Sequence, residues 1–116
     1  LAAAHAIHNG LTALPQTHNY FHGEKVAFGT LSELHLIDAP AAEIDTVYGF
    51  CEKVGLPTTL AALGLSGVSR EELFKAACAS CAPGQSISHE AGEITPERVL
   101  NAMLAADAIG FARLKR

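Results

Sequence analysis

The chain has no tryptophan, two tyrosines, five phenylalanines and one methionine in 116 residues, so any core must be filled by aliphatic side chains and alanine. Cysteine is scarce as well. Three cysteines form an odd set without the spacing of a disulfide framework, which suits a reducing, cytoplasmic setting. Positive charge is sparse: eight Lys and Arg against twelve Asp and Glu give a net charge of −4 and a pI near 5.8. That balance gives no footprint for nucleic acid or an anionic membrane. Although 49% of residues are hydrophobic and the mean hydropathy is +0.22, alanine inflates both figures. No uninterrupted apolar run approaches the ~18 residues of a membrane span, and no secretory signal is visible. Neither Gly-x-x-x-x-Gly-Lys-Ser/Thr nor Gly-x-Gly-x-x-Gly occurs, so the chain has no visible nucleotide-phosphate loop.

Sustained strand-like alternation is absent, and the periodicity that remains is helical throughout. Residues 1–14 read as a helix that is apolar on nearly every side, ending before Pro15 with Gly10 as a weak point; such a helix is expected to be buried all round. Residues 15–22 form a loop. A second helix starts near Gly23, with Glu24 in its first turn and Leu31, Leu34, Leu36 and Ile37 on its apolar face. Asp38-Ala39-Pro40 breaks the pattern. A third helix then carries Ile44, Val47, Tyr48, Cys51 and Val54 along one stripe and stops at Gly55 before Pro57. A short helix is possible over Thr59 to Leu65. Ser69 and Glu72 have the spacing of a capping box and launch a helix through Cys78, ended by Pro83-Gly84. Residues 84–94 make the longest loop. Thr95-Pro96 opens the last helix, whose stripe is Val99, Met103, Ala106, Gly110 and Leu114, with Lys115 and Arg116 at the negative end of its dipole. The expectation is one all-α domain, a bundle of five or six helices. At this length it buries roughly two-thirds of its unfolded surface, and is too short for a dinucleotide fold plus a catalytic domain.

Histidine is where chemistry concentrates. His5 lies within Ala4-His5-Ala6-Ile7-His8-Asn9-Gly10, and His22 within Tyr20-Phe21-His22-Gly23-Glu24-Lys25-Val26. Neutral imidazole is a common metal ligand, and a helix N-terminus at His22 favours the neutral form. Two histidines so spaced are a weak metal signal by themselves, because a catalytic ion takes about three protein ligands and an open position. His8, one turn from His5, is either a substrate-contacting or supporting group or a hydrogen-bonded helix histidine. A solvated loop position suits His18, and a structural one His35. Cys78-Ala79-Ser80-Cys81 sits at a helix C-terminal end, which raises thiol pKa, so it reads as two reduced cysteines rather than a zinc or redox site.

The run Leu1-Ala2-Ala3-Ala4-His5-Ala6-Ile7-His8-Asn9-Gly10-Leu11-Thr12, followed by His22-Gly23-Glu24-Lys25-Val26-Ala27-Phe28-Gly29-Thr30-Leu31, resembles the iron-containing alcohol dehydrogenase family. The likeness continues through Val54-Gly55-Leu56-Pro57-Thr58-Thr59-Leu60, Thr95-Pro96-Glu97-Arg98-Val99 and Ala105-Ala106-Asp107. It implies the helical C-terminal domain of the dehydroquinate synthase-like fold over residues 1–116, with the N-terminal nucleotide-binding domain outside this sequence. The implied metal ligands are His5 and His22, joined by an aspartate from upstream, and the substrate would be bound through that metal. The implied activity is the NAD-dependent oxidation of glycerol, or a related vicinal diol, to dihydroxyacetone with zinc, or iron in its place, in a cytoplasmic homo-oligomer; residues 1–116 alone are expected to be inactive. Family members often carry a histidine one position before His89, which leaves that loop without an assigned role. Tyr20 and Phe21 would wall a small-polyol pocket or pack against the missing domain. The alternative is a non-enzymatic helical metal-binding or interaction module from a split or truncated gene.

Overall fold

Local chemistry sets the helix boundaries. The computed structural model describes residues 2–18, 22–81 and 95–114, with backbone only for 2–5 and 22. Five α-helices follow in order: α1 (Ala2–Thr12), α2 (His22–Leu36), α3 (Ala41–Val54), α4 (Arg70–Ser80) and α5 (Pro96–Leu114), with 3₁₀ turns at Pro15–Thr17 and Ala61–Leu63. No strand occurs among the described residues. The capping box forms as expected: Glu72 N donates to Ser69 Oγ at 3.0 Å and Ser69 N to Glu72 Oε1 at 3.4 Å. Thr95 caps α5, accepting from Arg98 N at 3.2 Å. Gly55 closes α3 with φ +80°, a left-handed conformation that glycine adopts without a Cβ penalty. Asp38 does the same work after α2 at φ 54°, while Ala39 N donates to Leu34 O at 2.9 Å.

Helix α1 packs on α2 and α4, α2 also on α5, and α4 on α5; α3 touches the bundle more lightly, along α2. Ile7, Leu11, Phe28, Leu31, Leu73, Val99 and Met103 fill the centre, with Leu63 and Leu65 closing it from the segment after α3. Glycines set two close approaches. A Cβ on Gly10 would collide with Ala76 O and Ser80 Oγ of α4, and one on Gly110 with Thr58 O, so bare backbone is what lets these elements meet. Gly10 is thus a packing position rather than a weak point.

Four apolar expectations are corrected. α1 is not buried all round: Ala6, Ile7, Gly10, Leu11 and Leu14 face the core, while Asn9, Thr12 and Ala13 are exposed. Alanine made it look uniformly apolar, whereas only two neighbours cover it. Val54, Leu114 and Ile37, assigned to inner stripes, are 53%, 62% and 50% exposed, because each lies at a helix end beyond the reach of the facing helix.

Candidate metal and substrate site

The two histidines of the motif enter the fold on different helices, His5 in the second turn's approach of α1 and His22 as the first residue of α2. These helices pack on each other, and the turn that follows α1 is tied down by its own bonds. Thr17 is fully buried, and its Oγ1 donates to the carbonyls of Leu11 at 2.9 Å and Leu14 at 3.0 Å. Thr17 N and His18 N close the 3₁₀ turn onto Leu14 O and Pro15 O. His18 Nε2 donates to Thr12 O at 2.9 Å, so this exposed histidine ties the turn back to the end of α1 rather than reaching for a ligand. Gln16 Nε2 reaches Glu72 Oε2 at 3.2 Å, and this bond, with those from Ser69, holds the Glu72 carboxyl below its ordinary range. The turn that follows α1 is therefore pinned to α1 and α4 together.

The side chains of His5 and His22, and all of Tyr20, Phe21 and His89, lie outside the described residues. Among the described residues, no group of three or more His, Cys, Asp or Glu side chains gathers where it could hold an ion. His8 is half-buried, and its Nδ1 lies 3.0 Å from Asn9 Oδ1, which makes Nδ1 the donor. His35 is structural as expected. Tyr48 Oη spends its one proton on Ala106 O at 2.8 Å, so His35 Nε2, 3.1 Å from the same oxygen, must donate to it. Burial of the ring holds the His35 pKa below its ordinary value.

Cys51, Cys78 and Cys81 are free thiols. Burial raises the Cys81 pKa, with Cys78 and Glu97 adding to it, so Cys81 lacks the lowered pKa of a reactive cysteine. A cleft of about 300 Å³ is lined by Glu24, Glu52, Pro57, Thr58 and Thr59.

Sequence reasoning did not anticipate the cluster that docks α3. Arg113 near the end of α5 makes a two-pronged contact with Glu52, Nε to Oε2 at 2.8 Å and Nη2 to Oε1 at 2.9 Å, and Nη1 meets Asp45 Oδ1 at 2.5 Å. Its guanidinium also lies 5.4 Å from the centre of the Tyr48 ring. The available signal was that Asp45 and Glu52 stand seven apart on α3, and so share a face. Two further charged residues, Lys25 and Glu33, are buried on α2 at 6% exposure each.

Comparison with known proteins places this arrangement. No protein-family model matches the chain. It is 55% identical over 113 residues to the glycerol dehydrogenase of Thermotoga maritima, covering 97% of this chain and 31% of that protein. It is 49% identical over 116 residues to the glycerol dehydrogenase of Citrobacter freundii, covering 100% and 32%. Its helices superpose on the crystal structure of a probable glycerol dehydrogenase from Sinorhizobium meliloti with a TM-score of 0.91 at 47% identity, over 95% of this chain and 31% of that one. The chain is thus an all-helical unit of the iron-containing alcohol dehydrogenase fold. Within that fold the relatives at 47–55% identity are named glycerol dehydrogenases, and the chain spans about a third of their length.

Proposed function

We propose that the longer protein to which these residues correspond is an NAD-dependent glycerol dehydrogenase, oxidising glycerol or a related vicinal diol to the hydroxyketone. One observation carries this reading: the match to the C. freundii glycerol dehydrogenase is 49% over all 116 residues, and so runs through both histidine motifs. Nothing observed favours a non-enzymatic module over it.

In this reading His5 and His22 are two ligands of a divalent ion and an aspartate from outside residues 1–116 is the third. The donor chemistry fits such an ion. Position 22 opens α2, where the positive end of the helix dipole favours the neutral imidazole that ligation requires. Two imidazoles and a carboxylate suit zinc and iron alike, and zinc is our assignment. When bound, the ion supplies Lewis-acid activation of the substrate hydroxyl. The part played by this chain is to hold two donors on separate helices, α1 and α2, that pack directly on each other. NAD binding belongs to a nucleotide-binding domain outside these residues. The reading places the full-length protein in the cytoplasm as a homo-oligomer; no helix among the described residues is long and apolar enough to cross a membrane.

The test is replacement of His5 or His22 by Ala in the full-length protein. Each variant should lose stoichiometric bound metal, measured by elemental analysis, and lower turnover of glycerol by two or more orders of magnitude. Full metal content with near-parental kcat in both variants would remove the assignment.

A further inference from the structure

Lys25 is nine-tenths buried and nothing on its own helix answers its charge. It is 6% exposed. The positions one turn ahead on α2, three and four residues on, are Phe28 and Gly29; Glu24 is the adjacent residue and Glu33 stands two turns further along, neither at the contact spacing of three or four. Among the described residues no hydrogen bond or ion pair engages its ammonium, and the ion pairs found belong to Arg113. Yet no fully buried side-chain nitrogen lacks a partner, so Nζ is not sealed. Lys25 thus has a buried stem and an ammonium emerging through a narrow opening. A surface lysine normally keeps its charge in open water, and a lysine this buried is almost always paired.

Position 25 is one helical turn beyond position 22, on the face of α2 that follows the proposed metal ligand. About two-thirds of the length of the homologous proteins lies beyond the matched region, and on the reading given above that remainder brings a ligand to the ion at position 22. We propose that Lys25 is a positioning residue whose ammonium receives a carboxylate from the part of the full-length protein outside residues 1–116, docking that part over α2 beside position 22. A carboxylate fits better than a cofactor phosphate because this chain offers no glycine-rich backbone cradle to share a phosphate's charge. This inference rests on the reading of the chain as one part of a dehydrogenase.

The sign of a substitution decides it. If Lys25 meets only water, Lys25→Met removes a poorly solvated charge and leaves stability unchanged or raised. If it meets a carboxylate, the same change strands that acid in a closed interface, and the loss is greatest where the acid is ionised. In the full-length protein stripped of metal by a chelator, Lys25→Met should therefore melt at least about 5 °C below the parent at pH 7. Much of the gap should close at pH 5, where the stranded acid takes up a proton, and Lys25→Arg should stay near the parent at both. A Lys25→Met protein as stable as the parent at pH 7, or a deficit equal at the two pH values, would overturn the proposal. Should Lys25→Met fail to fold, Lys25→Gln read at the same two pH values decides it by the same criteria. Because these measurements use metal-free protein, they stand apart from the His5 and His22 test: metal retained in those variants would end the metal assignment and leave the Lys25 result intact.

Discussion

At Gly10 the absence of a side chain brings α1 onto α4. A methyl group there would press on Ala76 O and on Ser80 Oγ, which is itself buried and bonded to that carbonyl at 2.8 Å. Alanine is intrinsically the better helix former by about 0.5–1 kcal/mol. Overpacking against backbone costs about 1–3 kcal/mol, so Gly10→Ala should destabilise despite the gain in propensity. Chemical denaturation, comparing midpoints at constant slope, checks the direction. His35 carries a pH signature of its own. Its folded pKa lies below the ordinary value of 6.5, so the unfolded chain takes up a proton first as the solution is acidified. The stability it contributes is complete above about pH 6.5 and is lost as pH falls from there toward the lowered folded pKa. His35→Gln should therefore flatten the fall in the unfolding midpoint between pH 7 and pH 5.5, and an unchanged slope would show that other groups dominate.

At the scale of the element, what could be read in the sequence was what a few neighbouring residues decide. Ser69 with Glu72, Thr95 with Pro96, and Gly55 before Pro57 each satisfy orphan backbone groups within one turn, and each boundary falls where those residues place it. Tyr48, Cys51, Val99, Met103 and Ala106 were likewise legible as inward positions from spacing alone. Val54 and Leu114 were not, because periodicity tells which residues share a face but not how far a neighbouring helix extends. The docking of α3 was illegible for a similar reason. Arg113 and Glu52 are 61 residues apart, and a pairing at that distance leaves no local trace. The candidate site was legible only through the motifs around His5 and His22; spacing alone gives two histidines on two helices. Lys25 stood inside one of those motifs without drawing notice, since burial of a charge is a property of packing.

Taken whole, the molecule divides into a tightly interlocked set, α1, α2, α4 and α5, and one helix set apart from it. Phe50, Val54, Phe111 and Leu114 remain more than half exposed, all on α3 or the final turns of α5, which concentrates open apolar surface around this helix. What holds α3 is mainly Tyr48, bonded to Ala106 O, and the guanidinium of Arg113 shared between Tyr48, Glu52 and Asp45. The consequence concerns time rather than shape. A helix that packs only lightly on its neighbours can lift away while the remaining four stay packed, so its amides should exchange with deuterium through a partial opening well below the free energy of global unfolding. Ionic strength screens an exposed ion pair but hardly touches a buried apolar contact. Raising salt from low to about 0.5 M should therefore hasten exchange across 41–54 while leaving α1 and the middle of α5 nearly unchanged, and uniform protection at every salt concentration would show instead that the five helices open as one.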